Sequence, residues 1–188
     1  MMTTRIYKIL SIALISFSVS CTKPENPVPV EQELITTLRL NIKDAAGITQ
    51  TFDYKIENGF GNSNQGTIDI DTVRLLPNST YTVITQVLNE KESPAEDITQ
   101  EVISENSDHL FLYLSNPATG AGSISATGGN LDNNMLPFNQ AATLTTGPAG
   151  SGKFTVYLIH APQDKSAASP AAAGGETDVE AAFPVMIQ

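Results

Sequence analysis

Cysteine is almost missing from this chain. Cys21 is the single thiol in 188 residues, so no disulfide can form within one molecule and the fold must hold by packing. Basic residues are also scarce, ten Lys and Arg against twenty Asp and Glu, for a net charge of −10. Phosphate backbones and anionic lipid surfaces repel such a domain, which excludes nucleic acid as a partner. No apolar run approaches the roughly 20 residues of a membrane-spanning helix. Catalytic signatures are missing too: no serine sits in a nucleophile elbow, and the two histidines, His109 and His160, begin no recognised catalytic motif. The chain reads as a non-enzyme.

What is present at the start is an address. Arg5 and Lys8 precede an apolar stretch from Ile9 to Val19, and Ser18, Val19 and Ser20 lead into Cys21. A basic start, a short apolar core and small residues before a cysteine match a lipoprotein signal over residues 1–20. Cys21 is then the lipidated residue, and its acyl chains form the membrane attachment. Losing Arg5 and Lys8 with the signal leaves the remainder more acidic still. Pro24, Pro27 and Pro29 among polar residues make 21–33 an extended tether.

Residues 34–188 form one domain with a β pattern. Leu34, Thr36, Leu38, Leu40 and Ile42 alternate with Arg39, Asn41 and Lys43, the period of a half-buried strand. Further strands are expected at 49–56, 67–75, 81–88, 109–114, 123–127, 142–146, 153–160 and 179–187. Turn residues separate them, among them Asn58-Gly59, Pro77-Asn78 and Gly128-Gly129. Many short strands imply an all-β, Ig-like antiparallel sandwich, with seven or nine strands. One short helix is expected near 94–105, crossing between the sheets. There Ser93-Pro94-Ala95-Glu96 has the form of a capping box, and Ile98 and Val102 follow four apart.

Two apparent ligand motifs fail on context. Gly147–Lys153 resembles a phosphate-binding loop, but Phe154 stands where Ser or Thr is required, and Phe154, Val156 and Leu158 alternate as a strand. Asp69 and Asp71 have calcium-loop spacing but sit on a strand, where alternate carboxylates face solvent.

The histidines are the remaining candidates. His160 continues the inward face of Phe154, Val156 and Leu158 to the rim of the core. The loop 161–175 ends in Gly174-Gly175; if the flanking strands form a hairpin, Glu176 and Asp178 return beside His160. Glu101, Glu105 and His109 are spaced by four, and Asp108 adds a carboxylate. Imidazole with carboxylate suits zinc, copper or nickel. The candidate ligands are His109, His160, Glu176 and Asp108; the alternative is that each histidine is a rim residue hydrogen-bonded to an acidic neighbour.

The runs Leu88-Asn89-Glu90, Ser93–Thr99 and Asp108–Tyr113, with Phe154–Val156, His160-Ala161-Pro162 and Ala173–Glu180, resemble small Bacteroidota outer-membrane lipoproteins. These are encoded beside TonB-dependent receptors and often carry the label "type 1 periplasmic binding fold", which the β pattern contradicts. The family's two histidines match His109 and His160, and its Gly-Gly-Glu-Thr-Asp run matches Gly174–Asp178. Where the family has an aspartate-rich loop, this chain has Ile56–Gly61, so any ion held there is lost; Ala161 replaces a charged residue. The resemblance implies an outer-membrane lipoprotein, periplasmic or surface-exposed, presenting a transition metal such as zinc or copper, or a metal-bearing ligand, to a TonB-dependent receptor. The alternative is a structural or adhesive lipoprotein acting through protein contacts.

Overall fold

A computed structural model describes residues 33–188. The signal at 1–20, Cys21 and the tether up to residue 32 lie outside the described residues. Ten strands and two short helices follow: β1 Thr37–Lys43, β2 Thr49–Ile56, β3 Ile68–Ile70, β4 Val73–Leu75, β5 Thr80–Leu88, α1 Thr99–Ser104, β6 His109–Asn116, β7 Ile124–Thr127, β8 Ala141–Thr146, β9 Gly150–His160, α2 Pro170–Ala173 and β10 Glu176–Ile187. The expected all-β sandwich is what forms. One sheet has six strands in the order β3-β2-β1-β5-β8-β7, and the other has four in the order β4-β10-β9-β6. All pairings are antiparallel except β4 with β10, which run parallel.

Alternation produces the main core. Leu38, Leu40 and Ile42 of β1 and Val83 and Val87 of β5 meet Phe154, Val156 and Leu158 of β9 and Val179, Ala181 and Phe183 of β10, all buried in one cluster. Fully burying each large side chain contributes roughly 1.5–3 kcal/mol. Gly150 to Lys153 belong to β9 and pair with β10 from Ile187 back to Pro184, so the second half of the apparent phosphate loop is the start of a core strand and opens no helix.

The single strand expected at 67–75 divides in two. Asp71 Oδ2 accepts the Asp53 amide and the Asp71 amide donates to the Asp53 carbonyl, ending β3 against β2. After Thr72 the chain crosses to the other sheet as β4. This split turns the nine expected strands into ten.

The helix between β5 and β6 does connect the two sheets, but it starts later than the sequence pattern predicts. Asn89 and Glu96 exchange both backbone hydrogen bonds, which holds 89–96 as a closed loop and leaves Ser93-Pro94 no helix to cap. Ile98 is the N-cap without a side-chain cap bond, and the Thr99 amide donates to the Asp97 carboxylate instead. The segment 161–175, expected as an irregular loop, is an ordered strap. Ser169 caps α2 by accepting from the Ala172 amide, with Pro170 in its first turn. Ala173 and Ala167 then cover Leu110, Leu112 and Ile159 on the outer face of the four-stranded sheet, a second apolar cluster.

Candidate functional site

The two histidines close β6 and β9 at the same end of the sandwich. His109 lies directly opposite His160 in the β6–β9 ladder, and His160 lies opposite Glu176 in the β9–β10 ladder. Opposed residues in an antiparallel pair point to the same face, so the three form one row across three strands. The register shift between Thr177 and Val179 determines Glu176's place in it. Counting back from the inward Val179 by strict alternation would turn Glu176 outward; the bulge inserts one residue and restores it to the histidines' face.

The imidazoles stack, with centroids 5.0 Å apart and planes 12° from parallel. His109 is 7% exposed, and its Nδ1 lies 3.1 Å from the Glu105 carbonyl oxygen. A carbonyl only accepts, so Nδ1 carries the proton and donates, which leaves the Nε2 lone pair available in the neutral ring. Metal-binding imidazoles are oriented by this kind of second hydrogen bond. Asp108 takes part through its backbone: its carbonyl accepts the Ala161 amide at 2.7 Å, tying the start of the strap to the start of β6. Gly175 lies at φ +76°, and a Cβ there would come within 2.3 Å of the His160 carbonyl oxygen. Only glycine allows β10 to start this close to His160.

The structure therefore brings His109 and His160 into contact and places Glu176 on their row. Among the described residues, however, no group of three or more His, Cys, Asp or Glu side chains is disposed to hold a metal ion. The expected flanking by Glu101 and Glu105 takes a different form, because α1 stops at Ser104 and it is the Glu105 carbonyl, not its carboxylate, that meets His109. The carboxylates instead crowd Glu33. Partial burial, a hydrogen bond with Glu101 and the charges of Glu101, Glu105 and Glu96 push the Glu33 carboxyl up to about 8.

Sequence reasoning missed Lys165. Its Nζ lies 2.6 Å from Asp132 Oδ2 and donates to the carbonyls of Asn106 and Ser107. Both side chains are buried, at 5% and 0% exposure. Burial alone would raise the Asp132 carboxyl, but Lys165 and the amides of Leu136 and Asn134 outweigh it and hold the group below the usual carboxylate range. A lone lysine in an alanine-rich loop carries no sequence signal for this role. Lys165 thereby pins the strap both to the turn that leads from α1 into His109 and, through Asp132, to the loop between β7 and β8. Beside it, Leu131, Met135 and Leu136 stand exposed on a loop whose Asn133 amide donates to Asn106 Oδ1.

Among the described residues, no helix is long and apolar enough to cross a membrane. Comparison with protein-family models, with curated proteins and with solved structures returns no match.

Proposed function

We propose that this chain is a lipid-anchored accessory protein of the cell envelope that holds a divalent transition metal at the His109–His160 pair and presents it to a TonB-dependent outer-membrane receptor. The observation that carries this reading is the pairing itself. The only two histidines of the chain stand opposite one another and in contact. Nitrogen–metal bonds are about 2.0–2.1 Å long, so rings whose centroids lie 5.0 Å apart must turn out of the stack to share one ion through their Nε2 atoms. Glu176 is the carboxylate within the row. Such a ligand set is incomplete beside the four-ligand shell of a structural zinc site, and incompleteness suits delivery: open coordination positions let a metal-bearing ligand or a receptor complete the shell and take the ion away. Imidazole pairs favour copper(II) over zinc in the general affinity order.

The second reading is contact with a protein partner, favoured by the exposed apolar loop at Leu131, Met135 and Leu136, where Met135 is 74% exposed. Isothermal titration of copper(II) and zinc into the full chain separates the two. The metal reading expects one ion per chain, with affinity falling at least tenfold in both His109→Ala and His160→Ala. Binding indifferent to both substitutions ends the metal reading and leaves protein contact.

A further inference from the structure

The outer face of the six-stranded sheet carries a second site that involves neither histidine. Thr37 of β1, Lys55 of β2 and Asp69 of β3 are successive cross-strand partners, so hydroxyl, ammonium and carboxylate form a row about 10 Å long at the usual strand spacing. The row borders an open pocket of about 360 Å³ that Glu90 and Lys91 also line. Thr37 is 1% exposed, and its Oγ1 has no hydrogen-bond partner among the described residues. A buried hydroxyl without a partner is costly, and here it belongs to a residue that lines the pocket. The other groups are partly engaged. Lys55 Nζ lies 2.9 Å from Glu90 Oε2 and 3.4 Å from Asp53 Oδ2, which leaves one of its three protons uncommitted, and Lys91 Nζ donates to Asn58 Oδ1 at 2.8 Å. Asp69 forms no ion pair or side-chain hydrogen bond among the described residues.

We propose that this pocket binds a small zwitterion of the amino-acid or dipeptide class, its ammonium on Asp69, its carboxylate on the free donors of Lys91 and Lys55, and a backbone group on the Thr37 hydroxyl. Both signs are present in the lining, and the carboxylates of Glu57, Asp69 and Glu90 outnumber the two ammonium groups. A simple anion is therefore disfavoured, whereas a molecule with separated opposite charges is matched at both ends. The volume lies at the small end of ligand pockets.

The test is a titration of the ¹⁵N-labelled full chain with alanyl-alanine, followed by amide chemical shifts. Saturable shifts should cluster at Thr37, Lys55, Asp69 and Lys91. They should weaken at least tenfold in Asp69→Asn, and the dipeptide capped at both ends should not produce them. Thr37→Val should also weaken binding while leaving the melting temperature equal or higher, a combination that a purely structural threonine does not give. No saturable shift at these amides, an equal response to the capped dipeptide, or binding unchanged in both variants overturns the proposal. The result is independent of metal binding at the histidine pair.

Discussion

The two sheets of this sandwich treat their outer faces in opposite ways. The six-stranded sheet turns a charged face to water: Arg39 grips Asp53 through Nε–Oδ1 at 2.7 Å and Nη2–Oδ2 at 2.8 Å, and Lys55 bridges to Glu90. The four-stranded sheet buries its outer face under the strap, with Leu110, Leu112 and Ile159 against Ala173. A sheet covered on both faces needs apolar residues at consecutive positions rather than alternate ones. That is why Leu110-Phe111-Leu112 and Leu158-Ile159 interrupt the alternation seen in β1 and β5. The histidine row stands where the doubly covered sheet ends, so its geometry depends on the strap as well as on the main core.

Removing the strap's anchor should break the contrast most severely. Lys165→Ala leaves the Asp132 carboxylate buried without its countercharge, and breaking a buried pair in this way costs about 3–5 kcal/mol. Urea unfolding is the measurement, with proteolysis of the native state as a second reading. The strap should become cleavable while the main core, built from other residues, stays protected. Replacing both partners by apolar residues should recover only part of the loss, because Asp132 Oδ1 also accepts the amides of Asn134 and Leu136. A stability unchanged in Lys165→Ala would mean that the strap is held by its alanines alone.

A matched pair of substitutions then weighs the two outer faces against each other. Ile159 is 1% exposed, and Ile159→Ala should cost about 3 kcal/mol, within the range for such truncations. The Arg39 side chain is 29% exposed, and Arg39→Ala should cost less than about 1 kcal/mol despite its two short hydrogen bonds, because solvent screens an exposed ion pair. The Arg39 effect should shrink further in high salt; the Ile159 effect should not. Equal costs at the two positions would contradict the division between a dry outer face and a wet one.

The same division decides what could be read from the residues alone. β2 occupies Thr49–Ile56 as its alternation predicts, β5 follows its own, and β1 does so from Leu38 onward, because a sheet wet on one side writes its period directly into the chain. The pattern's first residue, Leu34, instead lies before β1 and is exposed, with Ile35 buried. The pairing of His109 with His160 was legible as a possibility, since both sit at strand ends. Its confirmation needed the β6–β9 register, which no local pattern records. Three features could not be read. The start of α1 is set by the Asn89–Glu96 backbone pair, a contact within an irregular loop. The hairpin brings Glu176 back beside His160 as expected, but the face it takes depends on one bulged residue. Lys165 acts through Asp132, 33 residues away in the chain, and nothing near either residue announces the other.

The smallest effect lies where like charges crowd one carboxyl. Glu33 meets Glu101, Glu105 and Glu96, and its carboxyl is raised from 4.5 to about 8. A raised carboxyl means that the folded state keeps a proton the unfolded chain releases, so the contribution to stability is complete below about pH 4.5 and declines as the pH rises towards 8. Asp132 works in the other sense: its carboxyl is depressed, so its contribution holds above the ordinary carboxylate range and is lost only in acid. Between pH 5 and 8 the Asp132 contribution is constant, and the Glu33 slope is read as the difference between the native chain and Glu33→Gln. Thermal melts should therefore show a modest fall in Tm across this window for the native chain and a flatter profile for Glu33→Gln, with the two curves separating at the high end. Identical slopes would remove Glu33 as the source. Because Glu33 is partly exposed, the separation should be the smallest of these effects and should narrow as salt is added. A charged cluster can thus tune this fold with pH while contributing little to holding it together, whereas the Asp132 carboxylate under the strap gives up its contribution only in acid.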